Sequence, residues 1–296
     1  MLQHGIRPIR TFANAVGDTL WSAPIRTCPR TRLQVKGELH TLPDGLRYMR
    51  EAVSAPTQAR ILAAVDAADA LWDAASIRRR LQFHGRVYYH TRHDRTALQP
   101  PEPEPEPEAG AASGANNAVG AVGAASAASL MWLAHLLARD AAIADPRLAR
   151  LVAASPPSQV LVNEYTRNAG LSCHLEDTAA FGPYILTLSL LNPVWMDLKP
   201  VPLAPAPNST TPTNTTNPNS SFRILLEPRS LLIMHSDARY KWMHGISKSK
   251  SVPFINANNT ECSIPRDDTY RRLSLTVRTV LDGRKKVTAD TLDWIL

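Results

Sequence analysis

Cysteine is scarce: Cys28, Cys173 and Cys262 are the only three in 296 residues, and no two form a Cys-x-x-Cys pair. That odd number, so spaced, argues against a disulfide framework and a zinc ribbon and fits a reducing compartment. Long apolar runs are also lacking. Nothing approaches the roughly 18 residues of a membrane helix, so no membrane association is expected. With 44% hydrophobic and 20% charged residues, a packed core is within reach and global disorder is excluded. The N-terminus lacks the apolar run of a secretory signal. It has no acid before Asp18, carries Arg7 and Arg10, and spaces Ile6, Ile9, Phe12 and Val16 in near-helical fashion. That is similar to a mitochondrial transit peptide, although Pro8 interrupts it. The expected location is intracellular, cytoplasmic or nuclear, with the mitochondrion as the alternative.

What is present is a net charge of +7, unevenly placed. Residues 1–100 hold 15 basic and 8 acidic groups, residues 221–296 hold 13 and 8, and the middle is net acidic. The two basic segments can form one surface toward a polyanion, and equally can be an ordinary solvated surface. Three stretches read as mobile loops. Residues 99–129 open on a Pro-Glu alternation, 199–220 are almost wholly Pro, Asn, Thr, Ser and Ala, and 247–268 are polar and Asn-rich. Pro56 to Trp72 has helical spacing in Ile61, Leu62, Val65 and Ala68 behind a Ser54 cap, and 130–144 and 147–154 also read as helices. Residues 81–91 read as strand, broken near Gly85. From 159 onward short β segments dominate: 159–165, 171–176, 184–191, 194–198, 222–226, 230–234 and 271–280. The expectation is an α+β barrel or sandwich with supporting helices, in one domain over 41–282. Residues 1–40 are then an N-terminal extension and 283–296 a tail.

His174 and Glu176 are two residues apart, so on a strand they share a face, whereas Asp177 points away. His244 in Trp242-Met243-His244-Gly245-Ile246 is the best third ligand. Two imidazoles and one carboxylate on one side of a metal leave the other positions open, which is the facial triad of non-haem Fe(II) oxygenases. A lone His-x-Glu pair more often means surface charge beside an ordinary histidine. Arg271 to Arg278 strengthens the functional reading. As a strand it sets Leu273, Leu275 and Val277 on one face and Arg272, Ser274, Thr276 and Arg278 on the other. Two guanidinium groups and two hydroxyls suit a cavity for a small dianion, because Arg offers a rigid bidentate fork. The plainer reading is an edge strand with one wet face.

The order Val162-Asn163-Glu164-Tyr165, His174-Leu175-Glu176, Ala180-Phe181-Gly182, Leu188-Ser189-Leu190, Leu226-Glu227-Pro228-Arg229-Ser230-Leu231-Leu232, Ala238-Arg239-Tyr240, His244-Gly245-Ile246 and Arg272 to Arg278 resembles the AlkB-like dioxygenases. Arg78 to Gly85 is similar to the segment upstream of that core. The resemblance spans 42–97 and 130–282. It implies a double-stranded β-helix, or jelly-roll barrel, that takes Fe(II), 2-oxoglutarate and dioxygen. By this resemblance His174, Glu176 and His244 hold the metal, with Glu176 where the family usually has Asp. Glu is longer by one methylene, about 1.5 Å, which a small strand shift absorbs. Arg272 matches the residue that pairs with the distal carboxylate of 2-oxoglutarate, and Asn163, Tyr165 and Arg278 match residues around its oxoacid end.

The implied reaction turns 2-oxoglutarate into succinate and carbon dioxide and hydroxylates a substrate C–H bond. On an N-methyl group the product loses formaldehyde. A methylated base in RNA or DNA, single-stranded or flipped out, is the preferred substrate. Arg80, within the run Arg78-Arg79-Arg80, can hold phosphate, and Tyr88 or Tyr89 can stack on a base; the same residues can instead be packing and solvated charge. Arg239, Lys241, Lys248 and Lys250 add positive charge near His244. A protein side-chain oxygenase and an inactive binding protein are the alternatives. No obligate protein partner is evident.

Overall fold

The computed structural model describes residues 26–28, 33–37, 42–73, 79–86, 129–202 and 221–281. Strands β1 (Arg26–Cys28), β2 (Leu33–Gly37) and β3 (Leu46–Met49) come first. Helix α1 (Ala55–Ala67) follows, started by Ser54, whose Oγ accepts from Thr57 N, and by Pro56 in the first turn. After β4 (Trp72–Asp73) and β5 (Arg80–Gly85) come α2 (Met131–Ala144) and α3 (Pro146–Ala154). Asp145 caps α3 by accepting from Arg147 N at 2.9 Å and Leu148 N at 3.3 Å. The remaining strands are β6 (Gln159–Thr166), β7 (Leu171–His174), β8 (Tyr184–Leu191), β9 (Val194–Pro200), β10 (Phe222–Leu226), β11 (Leu231–His235), β12 (Trp242–Ile246), β13 (Ser251–Ile255), β14 (Glu261–Pro265) and β15 (Arg271–Arg278), with a short helix α4 (Ser236–Tyr240) between β11 and β12.

The strands sort into two antiparallel sheets, ordered β1-β2-β10-β9-β12-β7 and β3-β11-β8-β15-β6-β5-β4, plus the separate hairpin β13-β14. This is the two-sheet form of the expected jelly roll, and among the described residues no hydrogen-bonded ladder joins the two sheets into a closed barrel. The seven-stranded sheet is covered on both faces, so its central strands are apolar on one side and mixed on the other. Leu186, Leu188 and Leu190 of β8 and Leu273, Leu275 and Val277 of β15 pack against Ile61, Val65, Leu133, Leu137 and Leu148 of the three helices. The inner space between the sheets is filled by Leu33, Tyr165, Ile185, Met196, Leu198, Ile224, Met234 and Ile246, among others. Toward one end of that space the apolar residues give way to Asn163, Ser274, Thr276 and Arg278, and a cavity opens.

Three expectations change. The domain reaches further N-terminal than residue 41: β2 is buried and pairs with β10, so part of the supposed extension belongs to the core. Residues 247–268 are not a loop, because 251–255 and 261–265 form a hairpin whose Val252, Phe254 and Ile264 pack with Trp195, Leu225 and Tyr270. Gln34 anchors the hairpin by exchanging two 2.7 Å hydrogen bonds with the Ile255 backbone. Lys199 and Pro200 continue β9 rather than starting a loop. The rest of the expected insertions, 99–128 and 203–220, and the tail 283–296 lie outside the described residues.

On the helix side, buried Gln82 donates to Val65 O at 3.1 Å and Ala68 O at 2.7 Å, joining β5 to the end of α1. His84 accepts from Leu130 N at 3.4 Å on Nδ1, which leaves the proton on Nε2 to reach Gln82 Oε1 at 2.9 Å. Burial holds the His84 pKa down at about 4, below the 6.5 of the free side chain. Between those values the unfolded chain binds the extra proton, so stability is full above 6.5 and lost as pH falls toward 4. Urea denaturation at pH 7 and pH 5 should show the parent less stable at the lower pH, with a smaller pH difference in His84→Gln.

Candidate metal centre and co-substrate pocket

In the register of β12 on the edge strand β7, His244 stands directly opposite His174. Their rings lie 4.6 Å apart, centroid to centroid. Such proximity depends on Gly245, where a Cβ would stand 2.8 Å from Cys173 Cα and 2.9 Å from Cys173 N. β7 ends at His174, and Glu176 follows two residues later in coil. One ligand atom from each of His174, Glu176 and His244 falls within 4.8 Å of the others. Among the described residues this is the one His/Cys/Asp/Glu group with such spacing. Asp177 caps the following turn, its Oδ1 accepting from Ala179 N at 2.8 Å and Ala180 N at 3.2 Å.

The electrostatics suit a cation. His174 Nδ1 lies 2.9 Å from Ser172 O, so that nitrogen carries the proton and Nε2 keeps its lone pair. The buried Nδ1 of His244 has no hydrogen-bond partner. Burial, with the neighbouring His174 adding to it, lowers the His244 pKa to about 4 and keeps the ring neutral. Burial alone would raise the Glu176 carboxyl, but Arg278, His244 and His174 outweigh it and hold the group below the usual carboxylate range. Two imidazoles and one carboxylate are the donor set that a facial Fe(II) site uses.

Glu176 is fixed from two sides. Its Oε2 accepts from Arg278 Nη1 at 2.8 Å, an ion pair running from the β7 end of one sheet to β15 of the other. Arg278 also donates from Nε to Gln159 Oε1 at 2.7 Å, and its guanidinium lies 3.6 Å from the Phe181 ring centroid. The backbone is held by Arg239, which donates to the carbonyls of Glu176, Asp177, Phe181 and Gly182 at 3.0–3.3 Å. Arg239 is only 1% exposed, so it is a clamp on the Glu176 loop and not a surface charge at the mouth, as its sequence position suggests.

The adjoining cavity has a volume of about 500 Å³ and is lined by His174, Glu176, His244, Asn163, Tyr165, Ser274, Thr276 and Arg278, with Arg79 and Phe83 on a further wall. Asn163, Tyr165 and Arg278 thus line one cavity, with Arg278 engaged by Glu176 and Gln159. Arg272 is fully buried behind this lining, 5.2 Å from the Tyr165 ring centroid. Its Nη2 donates to Ser189 Oγ at 2.8 Å, while buried Nε and Nη1 have no partner. A buried guanidinium with two open N–H groups fits a carboxylate. Arg80 does not line the cavity. β5 alternates, so Arg80 shares a face with Glu164, which it pairs at 2.6 Å, and stacks on Trp72 at 4.5 Å. The neighbour Arg79 faces the cavity instead, donating from Nε to Asn163 Oδ1 at 3.0 Å. Phe83 lines the cavity by the same period of two, and that period is the only signal of its place that the residue order carries. Tyr88 and Tyr89 lie outside the described residues.

A family model described as the 2OG-Fe(II) oxygenase superfamily matches residues 22–278. The chain belongs to that superfamily. The superfamily's oxygenase chemistry implies Fe(II), 2-oxoglutarate and dioxygen. It is 32% identical over 135 residues to the tRNA (carboxymethyluridine(34)-5-O)-methyltransferase alkbh8 of Xenopus tropicalis, covering 42% of this chain and 18% of that one. The Arabidopsis thaliana "Alkylated DNA repair protein ALKBH8 homolog" is 32% identical over 124 residues, 41% of this chain and 34% of its own. Protein L905 of Acanthamoeba polyphaga mimivirus is 32% identical over 133 residues, 44% and 51%. The chain therefore spans at most about half the length of these relatives. A chain from "The structure of OsALKBH1" superposes with a TM-score of 0.46 and 16% identity, over 81% of this chain and 100% of that one.

Gly245→Ala tests the strand approach that this oxygenase relies on. A methyl group must push the edge strand β7 away and separate the two imidazoles. Calorimetric titration with Mn(II) should show affinity lower by about tenfold or more, with circular dichroism unchanged.

Proposed function

We propose that this chain oxidises N-methyl groups on nucleic-acid bases, in RNA or DNA, releasing them as formaldehyde. The observation that carries the reading is the cavity beside the triad, whose lining residue Tyr165 stands against the buried Arg272 and whose further wall carries Arg79 and Phe83. Phe83 is half-buried, so part of its ring is open to stack on a base, and Arg79 can meet a base edge or phosphate. Two relatives support the polymer class: one is named for a tRNA uridine and one for alkylated DNA.

In this reading His174, Glu176 and His244 hold Fe(II). When bound, the iron supplies the oxidation that couples decarboxylation of 2-oxoglutarate to hydroxylation of a substrate C–H bond. The protein's part is orientation and charge. Arg272 takes the distal carboxylate of 2-oxoglutarate on its open Nε and Nη1, and Tyr165 and Asn163 border the oxoacid end. Arg278 keeps Glu176 ionised and aimed at the metal. Phe83 and Phe181 supply apolar walls that exclude water from the reacting carbon. The hydroxylated N-methyl group then loses formaldehyde and returns the base nitrogen its proton.

Two outcomes test this. Succinate formation from 2-oxoglutarate should require Fe(II) and be stimulated by a methylated single-stranded oligonucleotide over its unmethylated twin, with formaldehyde released in step; stimulation by peptides and not by nucleic acid would overturn it. Arg272→Ala should raise the KM for 2-oxoglutarate by about 30-fold or more, since losing one partner of a buried charge pair costs about 2–5 kcal/mol.

A further inference from the structure

A second cavity, about 270 Å³, lies beside the first, and Leu171 and Ile246 line both. These two residues are register partners across β7 and β12, so they form the partition between the cavities. The second cavity is also lined by Ser172, Ser247, Lys199 and Lys248. Its one acid, Asp197, is already engaged: it pairs with Arg223 and accepts from Ser247 N and Oγ. The charge left over is that of two exposed lysines.

The walls are built and held. Loop 167–170 precedes β7 and loop 247–250 follows β12, and buried Arg266, delivered by the end of the β13-β14 hairpin, ties them together. Its Nε donates to Arg167 O at 2.9 Å, its Nη1 to Ser247 O at 3.4 Å and Ser249 Oγ at 3.3 Å, and its Nη2 to Ala169 O. Gly170 permits the closest approach: a Cβ there would stand 2.5 Å from Ile246 O and 3.3 Å from Lys248 Cγ. The stem of Lys248 therefore lies directly over the loop backbone, and its position follows from the same clamp.

We propose that this cavity binds a phosphodiester of the substrate strand, next to the nucleotide whose base enters the metal pocket, through Lys199 and Lys248 with Ser172 as a hydroxyl donor. The inference rests on nucleic acid being the substrate and adds where its backbone lies. Phosphate contacts of this kind set register and carry no sequence information, so this site would position any strand while the first cavity selects the base.

The test is fluorescence-anisotropy titration of unmodified single-stranded RNA and DNA oligonucleotides across a salt series, with the full chain, the double variant Lys199→Gln/Lys248→Gln, and Lys241→Gln as a charge control. Lys241 already pairs with Asp237 at 2.9 Å and lies outside the cavity lining. Each lysine that neutralises a phosphate of a single strand contributes about 0.7 to the slope of log K on log salt. The double variant should therefore flatten the slope by about 1.4, and the Lys241 variant should leave it near the parent's. A double variant with the parent's slope, or a control that flattens it equally, overturns the phosphate site. A parent chain that binds neither oligonucleotide overturns the nucleic-acid reading beneath it, and the site with it.

Discussion

The pairing of β12 with the edge strand β7 is the constraint on which the site depends. It sets His244 opposite His174, and it exists because position 245 carries no side chain where the Cys173 backbone passes. An edge strand has one hydrogen-bonded neighbour, so its position is the least determined in the sheet. Here the other sheet compensates: Arg278 reaches from β15 to Glu176 and secures the chain just beyond the end of β7. Both sheets are therefore needed to assemble three ligands drawn from only one of them.

Buried arginines do most of the organising, and the differences among them are informative. Arg239 and Arg266 direct their N–H groups to loop carbonyls, which satisfies the charge while fixing the backbone of the two loops that frame β7. Arg278 meets a carboxylate and an amide. Arg272 leaves two buried donors unmet, a cost in stability that a carboxylate seated against them would offset. That shortfall marks it as a receptor for a ligand. The same logic applies to the buried unpartnered nitrogen of His244.

Much of this is legible in the residue order because strands have a strict period. Arg272, Ser274, Thr276 and Arg278 face the inner space, and Asn163 and Tyr165 do likewise, as alternation requires. The same period misleads by one residue at Arg78-Arg79-Arg80, where a run of identical residues hides its own phase, and the cavity-facing member is Arg79. The β13-β14 hairpin is hidden in the sequence because Pro253, Pro265 and the asparagines between its strands break the apolar alternation, and its stability comes from Trp195, Tyr270 and Gln34, distant in sequence. Glu176 sits beyond the strand, so sharing a face with His174 points to the carboxylate that stands near both histidines, although the coil and Arg278, rather than the pleat, aim it. The clamping roles of Arg239 and Arg266 have no local signal, since their partners are backbone carbonyls.

The central claim is that His174, Glu176 and His244 together bind one iron ion. Its most direct test is anaerobic titration of the protein with Fe(II) in the presence of 2-oxoglutarate, following the visible charge-transfer absorption of a 2-oxoacid chelated to ferrous iron. The account predicts a band that saturates at one iron per chain and disappears in His174→Ala, Glu176→Ala and His244→Ala. A band of full intensity in any of the three folded variants, or none in the parent, would contradict it.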